Sequence, residues 1–213
     1  MVAISSMFSS IMHSISQTLL IPVMFVLVVF FAYAIINVGI LIAEYYKRRK
    51  ARFNLKIFVN QLMALKDKRY PDEIIKVIQE GEIPRAHKEV LVTIANSSNV
   101  SAEFRESLAL KMAEDEGIAA AKKLEKTDII AKISPAVGLM GTLIPLGPGL
   151  TALGSGDIQN LAQHLLIAFD AAVLGMAAAA LSFTVSKIRR RWYEEEISNL
   201  ETMLDTILEI YKC

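Results

Sequence analysis

Long apolar runs dominate this chain, and charged residues punctuate them. No Lys, Arg, Asp or Glu precedes Glu44, so the first 43 residues carry no charged side chain of these types. A second uncharged run covers Ile133–Gly156, and from Ile158 to Ser186 the only such residue is Asp170. A helix needs about 20 apolar residues to cross the hydrocarbon core of a bilayer. The pattern therefore predicts three membrane helices, over 18–46, 129–153 and 161–186. Pro22 falls in the first turn of the first span, where a proline costs little. The Pro145–Gly149 run, Pro-Leu-Gly-Pro-Gly, is expected to kink or end the regular helix of the second. Backbone groups freed there need a partner from a neighbouring segment or from water.

Between the first two spans the period changes. Phe53, Ile57, Val59, Leu62 and Leu65 recur near 3.6 residues, which predicts an amphipathic helix. Pro71-Asp72-Glu73 reads as a helix start and Gly81 as its end. Pro84 opens another helix, running to about Ala95. Asn96-Ser97-Ser98-Asn99 is a turn cluster. Ser101 can cap a long helix that meets no breaker except Gly117 before Asp128. After the third span, Ile197, Leu200, Met203, Leu204, Ile207, Leu208 and Tyr211 form a stripe that calls for a partner helix, within the chain or in another subunit. No strand pattern occurs. The fold class expected is an all-α integral membrane protein, three transmembrane helices with long helices extending into a cytoplasmic helical region. Its segments are an outer amphipathic or frayed stretch at 1–17, the first span, a cytoplasmic helical region at 47–128, the second span, a short outer loop at 154–160, the third span, and a cytoplasmic C-terminal helix at 187–213.

Composition agrees with this reading: 54% of residues are hydrophobic and 21% charged, against about 25% charged in a soluble domain. The net charge of +1 says little, but its distribution sets an orientation. Of the 23 Lys and Arg, 18 lie within Glu44–Lys132 and 5 within Lys187–Lys212. The positive-inside rule then places the N-terminus outside and both charged regions in the cytoplasm. Arg189, Arg190, Arg191 and Trp192 are expected to anchor the third helix at the membrane interface. Acids accompany the bases in both regions, so no nucleic-acid surface is expected. The one cysteine, Cys213, has no partner for an internal disulfide.

Polar residues inside the spans carry the chemistry. Asp170 lies near the centre of the third span, where a carboxylate costs at least ~2.5 kcal/mol and usually marks function. Thr142 lies at a similar depth in the second span. Gln163, Asp170 and Thr184 fall roughly on one helical face. Asn37 reads as a bridge between helices, and His164 lies near the outer interface. Gly138, Gly141 and Gly175 allow close helix packing. His13, His87 and His164 are scattered, so no metal site and no cofactor are expected. No nucleophile stands beside a base, so no enzymatic activity is expected either.

The segment Ile133-Ser-Pro-Ala-Val-Gly-Leu-Met-Gly-Thr-Leu143 resembles the second-span signature of the MotA/TolQ/ExbB proton-channel family. Ala168-Phe-Asp-Ala-Ala-Val-Leu-Gly-Met176 is similar to the start of that family's third span. The layout of spans and charged regions agrees, and the likeness is closest to the ExbB/TolQ branch. The resemblance implies a homopentamer around a single-span ExbD/TolR/MotB-like partner in a prokaryotic inner membrane. There, proton or sodium flow drives mechanical work or protein transport. It implies that Thr142 and Pro135 belong to the pore-facing part of the second span. Where the branch carries a second threonine this chain has Ala172, and where it carries an acid five residues earlier it has Ile167. Asp170 has no counterpart in the pattern. Two functions follow as expectations: a subunit of an ion-driven motor, with Thr142, Pro135, Asp170 and Ala172 along the ion path, or a non-conducting scaffold of the same fold.

Overall fold

The computed structural model describes residues 2–50, 54–65 and 71–212. Among these residues the α-helices follow in order: α1 Val2–Thr18, α2 Leu20–Lys50, α3 Leu55–Met63, α4 Pro71–Glu80, α5 Arg85–Asn96, α6 Ala102–Gly154 and α7 Ile158–Lys212, with a short 3-10 turn at Ser97–Asn99 after α5. No strand occurs among the described residues. Among the described residues three stretches are long and apolar enough to cross a membrane, one within Ser10–Lys50 and one each in α6 and α7. At 1.5 Å per residue α6 and α7 are each about 80 Å long, far more than the ~30 Å of a hydrocarbon core. Most of their length must therefore lie outside it. The chain divides into two compact units, Met1–Ile42 with Glu125–Lys187, and Ala43–Leu124 with Ile188–Cys213.

Local chemistry sets the helix ends. Asn54 caps α3 by accepting the Ile57 N–H at 3.3 Å. Ser101 caps α6 through the Phe104 N–H at 3.3 Å. Asp157 caps α7 through the Asn160 N–H at 3.0 Å. The α6–α7 turn is therefore confined to residues 155–157, tighter than the 154–160 loop expected. Gly156 supplies the positive φ of 76° that the turn needs. The proline-rich run does not end α6, which carries Pro135, Pro145 and Pro148 inside one continuous helix. Pro148 has no N–H for the Ile144 carbonyl four residues earlier. The Gln17 side-chain amide of α1 donates to that carbonyl instead, at 3.2 Å.

In the first unit, α6 and α7 meet backbone to backbone. A Cβ added at Gly175 would lie 2.8 Å from Gly138 Cα and 3.0 Å from the Ser134 carbonyl oxygen. One added at Gly141 would lie 2.6 Å from Ala171 Cβ. Val23 and Leu27 of α2 close over Ile144 and Ala171 to complete a small apolar core.

The second unit has the larger core. Leu200, Met203, Leu204, Ile207, Leu208 and Ile210 of α7 pack against Phe58 and Leu62 of α3, Ile74 and Ile78 of α4, and Leu91 and Ile94 of α5. The C-terminal stripe thus finds its partners within the chain. The α3 face differs from the one the spacing suggested. Phe58 and Leu62 are buried with Leu55 and Leu65 beside them, whereas Ile57 is 57% exposed. A 3-4-3 spacing from Leu55 fits one helical face better than the 57–59–62 set. Phe53 of that set lies outside the described residues, as does Cys213. Arg105 ties the turn after α5 to the end of α7. It donates to the carbonyls of Ser97, Ser98 and Val100 at 2.9, 3.1 and 3.2 Å. Its guanidinium also lies 4.7 Å from the Tyr211 ring centre.

Gly175→Ala places a methyl against backbone, which no side-chain movement relieves. The added crowding should weaken the first unit by about 1–3 kcal/mol. Gly39→Ala, with nothing within 4 Å of the new atom, should leave stability unchanged or slightly raised. Thermal unfolding of both variants in detergent checks the contrast.

Candidate functional site

Gly141 against Ala171 fixes the level at which the intramembrane polar residues stand. Thr142 and Asp170 each flank one of these contact residues, so they share a depth in the first unit. The structure does not bond them to each other. The Thr142 hydroxyl donates to the Leu139 carbonyl of its own helix at 2.7 Å. Its proton is engaged, but its oxygen lone pairs remain free to accept a hydrogen bond or approach a cation. Thr142 is half-buried and Pro135 is exposed.

Asp170 points outward from the first unit, with exposed Leu166, Phe169 and Val173 near it along the helix. Its carboxylate has no hydrogen-bond or ion-pair partner among the described residues. Ala172 and Ile167 are half-buried. Residues 170 and 172 are about 200° apart around the helix, so they serve different faces. Gln163 and Thr184 share the exposed side with Asp170, and Thr184 donates to the Ala180 carbonyl at 2.8 Å.

A second polar set links the three helices within the same unit. Asn37 is 6% exposed and donates to the Tyr33 carbonyl at 2.9 Å. The Tyr33 hydroxyl lies 3.4 Å from Thr127 Oγ1. The Ser186 hydroxyl donates to Asp128 Oδ1. Farther along, Ser134 Oγ, Ser182 Oγ and His164 Nδ1 are buried without a hydrogen-bond partner among the described residues. Asn37 and His164 stand out in the sequence, whereas the Tyr33–Thr127 and Asp128–Ser186 pairs do not. Their members lie 94 and 58 residues apart, and no short-range spacing reports such meetings.

Among the basic residues after the third span, Arg189 differs from its neighbours. Arg189 is 8% exposed, and its Nε donates to Glu44 Oε2 at 2.8 Å. A guanidinium this buried needs a carboxylate rather than a headgroup. Arg190 and Arg191 are exposed. Trp192 stacks on Tyr45 at 6.5 Å between ring centres, and the Arg48 guanidinium lies 4.9 Å from the Trp192 ring centre. Arg48 also binds Glu196 at 2.6 Å. Glu44, Arg48, Trp192 and Glu196 border a cavity of about 670 Å³ within the second unit, which His87 also lines. Burial pushes the His87 imidazole below its ordinary value of 6.5, against the opposing pull of Glu196 and Glu116. Among the described residues no group of three or more His, Cys, Asp or Glu side chains is placed to hold a metal.

Fold and polar placement define an all-α membrane protein with several apolar helices, closely packed and carrying isolated polar groups within the apolar part. The sequence model of the MotA/TolQ/ExbB proton channel family matches residues 56–202, more than half of the chain. The chain belongs to that family. No curated protein sequence matches it.

Proposed function

We propose that this chain is the channel-forming subunit of an ion-driven motor, of the ExbB/TolQ kind. In this reading it assembles as a homopentamer in a prokaryotic inner membrane, around a single-span ExbD/TolR/MotB-like partner. Flow of protons or sodium ions through the assembly drives mechanical work or protein transport by that partner. The chain itself performs no covalent chemistry. The observation that carries the reading is Thr142, a hydroxyl at the level of the tight Gly141–Ala171 contact whose oxygen can still accept. Such a group can take a hydrogen bond from water or from a protonated partner acid, or lend its oxygen to a cation. Membership of a proton channel family supports the same role.

Asp170 has a different part in this arrangement. Its carboxylate faces away from its own bundle and has no lysine or arginine nearby in the third span. A charge or hydrogen-bonding group so placed in lipid requires a partner or water from outside the chain. We assign it to the contact between neighbouring subunits. The second reading, a non-conducting scaffold of the same fold, is favoured by Ala172 and Ile167, which leave Thr142 as the polar group on the proposed pore face.

The topology has the N-terminus outside, with 47–128 and 187–213 in the cytoplasm. Ser98 and Ser155 are both exposed and serve as labelling sites. With Cys213 replaced, a membrane-impermeant thiol reagent added outside should reach Ser155→Cys and not Ser98→Cys. The opposite pattern inverts the topology.

Thr142→Val preserves shape and removes the hydroxyl. Ion flux in proteoliposomes carrying the chain with its single-span partner should fall at least ~10-fold, with the assembled mass unchanged in native mass spectrometry. Unchanged flux selects the scaffold reading.

For Asp170, Asn keeps the hydrogen-bonding capacity and Leu removes it. Asp170→Asn should assemble normally, whereas Asp170→Leu should weaken the oligomer by about 1–2 kcal/mol per lost contact. Flux abolished by Asn with the oligomer intact would place Asp170 on the ion path instead.

A further inference from the structure

The cavity of the second unit holds a buried titratable group that the proposed ion path does not use. His87 is 5% exposed. It lines the cavity of about 670 Å³, so a buried base borders a space that solvent can enter. Lysine and arginine in that wall come from α2, as Lys47 and Arg48, and the carboxylates are Glu44, Glu82, Glu195 and Glu196. Two of these carboxylates are engaged, Glu44 by Arg189 and Glu196 by Arg48. From α6, Glu116 attracts a charge on His87 and Lys123 repels it. On α5 itself Arg85, Lys88 and Glu89 flank it, with Lys88 donating to the Gln79 carbonyl at 2.6 Å.

We propose that His87 is a proton-sensing switch whose imidazolium form draws Glu196 away from Arg48 and so frees Arg48 from the face of Trp192. Glu196 exerts the strongest attraction on a charged His87. The same carboxylate holds Arg48 at 2.6 Å, and Arg48 lies 4.9 Å from the Trp192 ring centre. One carboxylate therefore serves two cations once His87 is charged. Arg48 and Glu196 are each about one-third exposed on their side chains, so water can take over the guanidinium when it leaves. The inference concerns the second unit alone and stands whether or not the chain conducts ions.

The direction follows from burial. His87 binds its proton less readily in the folded chain than at the ordinary value of 6.5. The second unit is therefore fully stable above about pH 6.5 and loses stability as pH falls from there through the folded-state value. At neutral pH His87 is uncharged and the Arg48–Glu196 bridge is closed. Acidification charges His87, opens the bridge and loosens the packing of α5 on α7.

Trp192 reports the event, because it is the only tryptophan in the chain. Its emission is recorded for the full chain in nanodiscs between about pH 8 and pH 5, the range in which histidine titrates. The wild type should show one transition with a midpoint below 6.5. His87→Gln should abolish it. Glu116→Gln, which removes an attraction without touching the Arg48 bridge, should move it to lower pH. A transition that survives His87→Gln at the same midpoint, an unshifted midpoint in Glu116→Gln, or a flat wild-type titration would each overturn the proposal. If His87→Gln does not fold, judged by circular dichroism at neutral pH, the Glu116→Gln shift decides alone.

Discussion

The backbone contact between Gly138 and Gly175 is the constraint on which the first unit rests. Apolar burial gives little drive to join helices in lipid, because the tails are as apolar as leucine. Close approach and dispersion must supply it, and only glycine lets two helix backbones come this near. Ala171 and Gly141 continue the contact toward one end, and Ser134, Ala178 and Ser182 lie buried along the same seam. Thr142 and Asp170 take their level from it, since each adjoins a residue of the seam.

Polar groups in the first unit follow from the rule that lipid satisfies none of them. The α6 helix runs through three prolines, and the Ile144 carbonyl freed by Pro148 receives Gln17. Asn37 and Thr142 spend their donors on nearby carbonyls of their own helices. Asp170, an acceptor when ionised, has no donor among the described residues, and its role is therefore sought at a boundary with something else. The contrast between Thr142 and Asp170 separates a group that is positioned by its own bundle from one that is not.

In the second unit ordinary aqueous packing applies. The C-terminal part of α7 supplies six buried side chains, five of them from its apolar stripe, to a core shared with α3, α4 and α5. Beside that core, Glu44–Arg189, Arg48–Glu196 and the Arg48–Trp192–Tyr45 stack form a polar wall with His87 within it. A neutral imidazole there leaves Glu196 to Arg48, and a charged one competes for it. The arrangement ties the state of the wall, and through α5 its packing on α7, to pH.

Much of this was legible in one dimension. The absence of charge before Glu44 and across Ile133–Gly156 is enough to predict spans, because the cost of burying charge in hydrocarbon is additive along a helix. Pro71, Gly81, Pro84, Ser101 and Gly156 mark boundaries through backbone chemistry that needs no tertiary partner. The family resemblance was likewise carried by a local string, Pro135 through Thr142. The sequence could not say which face of α3 is buried, since Ile57 and Phe58 both fit a 3.6 period and only the position of α4 and α7 chooses between them. It could not show that Arg189 turns inward to Glu44, or that Gln17 rescues a carbonyl 127 residues away. Nor could it single out His87, a lone histidine until α2, α5, α6 and α7 bring charges around it. These outcomes depend on pairings between residues remote in the chain, and a pairing exists only once packing has set the distance.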